Sequence, residues 1–256
     1  MTMLDLGGIS LYYNVKGEGT PIIFIHPPLL TSANFRYQID ELSQKFKIIT
    51  FDIRGHGRSS YSVQPITYPL IVEDMKRLLD HLKIPKAFLC GYSTGGSIVL
   101  EFLLTFPDRS LGGIVISGMS EVGDWYLKRR ILLARSISKA GAGRLLASVI
   151  SWGNSDTQET FRELLKEALK GDPKNIEQYY RYSLIYNCTH QLTRIDFPIL
   201  LVYGTKDKSF HSYANLLHEK LPISDLKFLQ NEKHQLPTKA AKEVNQLINE
   251  FINVHC

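Results

Sequence analysis

Apolar and polar residues alternate over Thr2–Leu6 and again over Ile9–Val15. A period of two is the mark of a strand with one face buried. The Gly7-Gly8 pair between the two runs predicts a hairpin turn. Further along, the pattern changes. Ile22–Ile25 is a continuous apolar run between Pro21 and Pro27, as expected of a strand buried on both faces. Lys47–Ile53, Ala87–Cys90, Gly113–Ile116 and Ile199–Tyr203 read the same way, and Leu226–Leu229 reads as a last, shorter strand.

Helical periodicity fills the gaps. Ile71, Met75, Leu78, Leu79 and Leu82 recur at spacings of three and four. Ile98–Phe106 is apolar on most sides, and Pro107 ends it. Val244, Leu247, Ile248 and Phe251 form one face of a C-terminal helix. Strand followed by helix, repeated, predicts an α/β fold: a doubly wound, mostly parallel sheet covered on both faces.

The stretch from about Ser120 to Arg194 breaks this rhythm and holds no convincing strand. Phe161, Leu164, Leu165 and Ala168 share a helical face, and Gly171-Asp172-Pro173 separates them from a segment rich in tyrosine, with Tyr179, Tyr180, Tyr182 and Tyr186. The expected organisation is a core contributed by residues 1–119 and 195–256, with residues 120–194 inserted as a helical cap. Extra core helices are the plainer alternative.

Composition narrows the field. At 256 residues the chain can bury a full core without disulfides or metals. A net charge of +5 is only mildly basic. The Lys128-Arg129-Arg130 run reads as a solvated helix face, so nucleic acid is not an expected partner. Three widely spaced cysteines, Cys90, Cys188 and Cys256, argue against a disulfide framework and a zinc site. The start lacks a basic region followed by an apolar one, so no signal peptide is expected. No apolar run approaches the ~18 residues a membrane span needs. A reducing cytoplasm is the expected home, and no cofactor or metal is called for.

The chemistry centres on Gly91-Tyr92-Ser93-Thr94-Gly95. The pattern G-x-S-x-G is weak alone, but here it follows a predicted strand and opens a predicted helix. A sharp strand-to-helix turn lifts the central serine above the sheet. A serine hydroxyl needs a base to take its proton. Two later places fit an acid and a base in that order. Asp207 follows the strand Ile199–Tyr203, and His234 follows the strand Leu226–Leu229, both at the carboxyl end of the sheet, where open α/β sheets place catalysis. Glu121 and Asp124, after the strand ending near Ser117, are rival acids.

With those residues in view, the chain resembles the α/β-hydrolase family over nearly its whole length. The resemblance rests on Pro21–His26 and its following loop, Asp52-Ile53-Arg54-Gly55-His56-Gly57-Arg58-Ser59, the Ser93 motif, Tyr203–Asp207, and His234 leading into the last helix. It implies Ser93 as nucleophile, Asp207 as acid and His234 as base. It also implies that Arg54–Ser59 is a structural turn beside the site, and that His26 and His56 bind loop backbone. His81, His190, His211, His218 and His255 read as surface or helix histidines.

The chain departs from the family at one place. Members usually follow the third strand with His-Gly-X, and the N–H of X helps hold the oxyanion. Here the segment is His26-Pro27-Pro28-Leu29, and proline has no N–H. Thr94 N–H is one expected donor, and Leu29 N–H is the candidate replacement for the other.

The resemblance therefore implies a hydrolase of carboxylic esters or related acyl compounds, acting through an acyl-enzyme on Ser93. An apolar or aromatic acyl or alcohol group is expected in a pocket lined by apolar and tyrosine side chains of the cap. A serine at that position argues against relatives that use a carboxylate there. It leaves carbon–carbon cleavage, lyase and peracid chemistry open. The alternative of a different class is a ligand sensor on the same fold, signalling to a protein partner.

Overall fold

The computed structural model describes residues 2–139 and 142–255. Met1, Ala140, Gly141 and Cys256, and with Cys256 part of the cysteine reading, lie outside the described residues. The predicted hairpin is formed by β1 (Thr2–Asp5) and β2 (Ser10–Lys16), paired antiparallel. Gly7 and Gly8 take φ of 77° and 90°. Two consecutive residues at positive φ are what a tight, right-twisting hairpin turn demands.

Six further strands are mutually parallel: β3 (Pro21–Ile25), β4 (Lys47–Phe51), β5 (Ala87–Tyr92), β6 (Ser110–Ile116), β7 (Ile199–Gly204) and β8 (Ser224–Leu229). The sheet runs in the order β1-β2-β4-β3-β5-β6-β7-β8, with β2 antiparallel to β4. β5 is buried along its whole length, which is why it reads as an unbroken apolar run.

β6 and β8 begin earlier than the apolar pattern predicts. The added residues, Ser110 to Gly112 and Ser224-Asp225, are mostly polar or glycine, and pairing with β5 and β7 extends the strands through them. β8 is therefore not the shorter strand expected. It is an edge strand with a solvated side, so polar residues fit it.

Side chains alternate between the two faces. Ile23, Ile25 and Leu89 pack on one side with Ile71 and Met75 of α2 (Tyr68–His81), Ile98 and Val99 of α3 (Thr94–Thr105), and Ala214 and Leu217 of α8 (His211–Lys220). Ile22, Phe24, Phe88 and Cys90 pack on the other with Leu42 of α1 (Arg36–Leu42) and Val244, Ile248 and Ile252 of the C-terminal helix (Ala241–His255). α2 starts where its sequence says: the Thr67 hydroxyl accepts from Leu70 N–H, and Pro69 sits in the first turn.

Between β6 and β7 the described residues form four α-helices, α4 (Trp125–Lys139), α5 (Gly143–Gly153), α6 (Gln158–Ala168) and α7 (Pro173–Ile185), followed by a 3-10 helix over Thr189–Arg194. The Gly171-Asp172-Pro173 break is the start of α7, with the Asp172 carboxylate accepting from Asn175 N–H. Extended pairing in this stretch, among the described residues, is limited to one bridge between Glu121 and Asn187.

Candidate functional site

β5 ends at Tyr92, α3 begins at Thr94, and Ser93 alone makes the turn between them. Its backbone pays for this with φ 55° and ψ −121°, a region that side-chain-bearing residues rarely adopt. The flanking glycines are steric necessities. A Cβ on Gly91 would lie 2.2 Å from the Gly95 carbonyl oxygen, and one on Gly95 would lie 2.2 Å from that of Ile25. The turn thus presses against β3 and points the serine hydroxyl away from the sheet.

Two loops at the same end of the sheet bring partners to it. His234, beyond β8, places Nε2 3.1 Å from Ser93 Oγ. Asp207, beyond β7, places Oδ2 2.7 Å from His234 Nδ1. The carboxylate can only accept, so Nδ1 carries the hydrogen and Nε2 is left as an acceptor for the serine proton. The imidazole is fixed on its faces as well. Phe210 packs 4.3 Å from it and Tyr92 5.4 Å, centroid to centroid.

The rival acids are engaged elsewhere. Glu121 accepts from Asn187 Nδ2 at 2.6 Å and Thr189 Oγ1 at 2.8 Å. Asp124 caps α4 through Leu127 N–H at 2.8 Å and accepts from the Tyr213 hydroxyl. The other histidines also stand apart from Ser93. His81 meets Tyr13, His211 meets the Gly204 carbonyl, His218 meets Ser224, and His255 packs on Phe251.

The loop after β3 is held by buried polar groups. His26 Nε2 accepts from Ile53 N–H at 2.9 Å, so its Nδ1–H donates to the Pro27 carbonyl, also at 2.9 Å. The Tyr179 hydroxyl donates to the His26 carbonyl at 3.0 Å. His56 Nδ1 donates to the Arg54 carbonyl at 3.1 Å, and its ring lies against those of His26 and Tyr179. Burial lowers the His26 pKa to about 4. Burial, helped by the neighbouring His26, lowers that of His56 to about 3. Asp52 completes the support, accepting from Ser32 N–H and Oγ and from Arg58 N–H. Arg54 forms a buried ion pair with Asp74.

Above Ser93 is a cavity of about 180 Å³. One wall is Pro27, Pro28 and Leu30 from the loop after β3. Leu127, Arg130, Ile131 and Ala134 of α4, Ile150 of α5 with Asn154 at its C-terminal cap, and Tyr180 of α7 close over it. Tyr92, Thr94, Met119, Phe210, His234 and Gln235 complete the lining. Leu29 turns behind this wall with φ 72° and is buried. Thr94 opens α3, where the first N–H groups of a helix have no partner within it.

The tyrosine-lined pocket needs correcting. Tyr180 is the one residue of the four that faces the cavity. Tyr182 and Tyr186 stack on Tyr68 of α2, at 5.0 and 4.6 Å, and the Tyr186 hydroxyl donates to Glu101. They are the seam between α7 and the core, because an amphipathic helix lying on the core buries its widest face there. Sequence reasoning also missed Asn154, which accepts from the buried Tyr92 hydroxyl at 3.0 Å, and Ser117, which donates to the His234 carbonyl at 3.1 Å. No local pattern announces either contact. Arg130, read as part of a solvated run, reaches the cavity wall.

Cys90 and Cys188 are buried and free. Burial pushes both thiols up, Cys188 to about 12, which leaves them unreactive. Among the described residues no helix is long and apolar enough to cross a membrane, and no group of three or more His, Cys, Asp or Glu side chains could hold a metal ion.

A family model described as alpha/beta hydrolase fold matches residues 20–236. The chain belongs to the α/β-hydrolase family. Within this family it is 24% identical over 264 residues to the AB hydrolase superfamily protein YisY of Bacillus subtilis, covering 96% of both chains. It is 25% identical to the human serine hydrolase BPHL, covering 96% of this chain and 84% of that one. The bromoperoxidase structure from Bacillus anthracis superposes with a TM-score of 0.89 at 22% identity, over 98% of this chain and 99% of that one. At that identity the structural likeness speaks for the fold.

Proposed function

We propose that this protein is a serine hydrolase that cleaves small carboxylic esters or related acyl compounds through an acyl-enzyme on Ser93. The observation that carries the reading is the ordered chain of contacts from Ser93 Oγ to His234 Nε2, at 3.1 Å, and from His234 Nδ1 to Asp207 Oδ2, at 2.7 Å. His234 takes the Ser93 proton as Oγ bonds to the substrate carbonyl carbon. Asp207 holds the tautomer and stabilises the imidazolium. His234 then returns the proton to the leaving alcohol oxygen. Water, deprotonated by the same nitrogen, bonds to the acyl carbon, the Oγ–C bond breaks, and His234 passes the proton on to Ser93 Oγ as the acid leaves. The helices of residues 120–194 serve as a cap that excludes bulk water and bounds the substrate. A cavity of about 180 Å³ with a mostly apolar lining favours a small, mostly apolar group.

Thr94 N–H, at the positive end of α3, is one oxyanion donor in this reading. Pro27 and Pro28 can supply none, so Leu29 N–H is the proposed second. Losing a donor costs roughly 2.7–4 kcal/mol in the transition state, so weak turnover of ordinary esters is the expected result if Leu29 N–H fails to reach the oxygen. The ligand-sensor alternative has no contact of its own to favour it.

A fluorophosphonate tests the reading. It should label the wild type and leave Ser93→Ala unlabelled; labelling that survives the substitution removes Ser93 from the mechanism. In the adduct, the phosphoryl oxygen should lie within about 3.1 Å of both Thr94 N–H and Leu29 N–H. An oxygen far from Leu29 N–H would leave one donor at work.

A further inference from the structure

Resting on the hydrolase reading, we infer that Arg130 forms an anion subsite in the cavity, and that the substrate is a small ester carrying a free carboxylate. Leu127, Arg130, Ile131 and Ala134 all line the cavity, at spacings of three, one and three along α4. That is a single helical stripe facing inward. Leu127 and Ile131 are buried, as an apolar wall requires. Arg130 occupies a place on this stripe where an apolar residue would suit the surroundings.

Its charge is not paired with a carboxylate. Among the described residues none comes within 4.0 Å of the Arg130 guanidinium, which lies over the exposed Tyr126 ring at 5.7 Å. The nearby Arg135 contrasts with it, for it is paired with Glu177. No carboxylate lies in the cavity lining either. The one permanent charge on this wall is therefore positive, and it stands at the water-exposed rim of an otherwise mostly apolar space. A carboxylate reaching it gains a charge-assisted hydrogen bond, two-pronged where both its oxygens face the guanidinium. A substrate with no charge gains nothing from it.

Two pairs of probes test the subsite. One pair is the mono-p-nitrophenyl ester of glutaric acid against p-nitrophenyl butyrate, with the carboxylate on the acyl side. The other is 4-acetoxybenzoate against phenyl acetate, with it on the alcohol side. In one pair at least, the wild type should favour the anionic probe by about tenfold in kcat/KM, mostly through KM. Arg130→Gln should abolish that preference, because the anionic probe loses far more than its neutral partner. Arg130→Lys should restore part of it. Selectivity that is the same in wild type and Arg130→Gln overturns the inference, even if every probe is turned over.

Binding reads the subsite without turnover. By calorimetry, glutarate should bind Ser93→Ala more tightly than the Ser93→Ala, Arg130→Gln double variant. Equal binding by the two overturns the inference. If Arg130-dependent binding is found with no hydrolysis and no fluorophosphonate labelling, it is the hydrolase reading that fails and the anion subsite that stands.

Discussion

Ser117, at the carboxyl end of β6, donates its hydroxyl to the backbone carbonyl of His234 across a gap of 117 residues in the chain. This contact ties the loop that carries the imidazole to the central sheet. The His234 carbonyl also accepts from Leu236 N–H, so losing the serine does not leave it unsatisfied. Ser117→Ala is expected to cost only about 1 kcal/mol of stability. It should lower kcat by about tenfold with KM nearly unchanged, because the base is displaced and the pocket is not. Steady-state kinetics with denaturant unfolding check both. A kcat equal to that of wild type would show that Phe210 and Asp207 position the ring without help.

The strain at Ser93 has a stability consequence. A residue held at φ 55° and ψ −121° costs on the order of 1–3 kcal/mol, and glycine removes most of that cost. Ser93→Gly should therefore unfold at higher denaturant than Ser93→Ala, while neither is labelled by a fluorophosphonate. The two variants unfolding alike would mean that the surrounding loops relax around the turn.

Asp207→Asn keeps the shape of the side chain but offers His234 an amide in place of a carboxylate. The wrong tautomer then faces Ser93, and kcat should fall on the order of 10⁴-fold. Glu121→Gln and Asp124→Asn should stay within about threefold of wild type, as their hydrogen bonds go to other groups than the imidazole. A large loss at Asp124 with little at Asp207 would reverse the assignment.

Acid should destabilise the fold through His26 and His56. Both are held neutral, with pKa lowered to about 4 and about 3, against about 6.5 in the unfolded chain. A depressed folded pKa means that stability is full above pH 6.5 and is lost as pH falls toward the folded values. Between pH 8 and 5.5 each should cost roughly 1.5 kcal/mol. His56→Asn retains a donor near Nδ1 and cannot titrate, so its loss over that interval should be smaller by about this amount. Urea unfolding at the two pH values decides. An unchanged pH dependence would place the acid sensitivity elsewhere.

Much of this protein is determined one segment at a time. Continuous apolar runs specify β3 to β7, because strands covered on both faces have no polar side to show. Gly91 and Gly95 around Ser93 specify the sharp turn, because no other residue fits where backbone meets backbone. Thr67 and Asp172 mark where α2 and α7 begin. Asp207 and His234 were legible because each follows a strand that ends at the same edge of the sheet. What the sequence left open is what long-range packing decides. Glu121, Asp124 and Asp207 are all acids placed after strands, and only the fold shows which one reaches His234. The extent of β8 depends on β7 beside it, since a half-solvated edge strand tolerates Ser224 and Asp225 as readily as apolar residues. Tyr180 and Tyr182 are two positions apart on α7, yet one meets the cavity and the other meets Tyr68, because a helix turns each residue by about 100° and only the docked orientation says which direction is which. Arg130 is the same case: next to Lys128 and Arg129 it reads as surface, and the way α4 lies over Ser93 is what turns it toward the cavity.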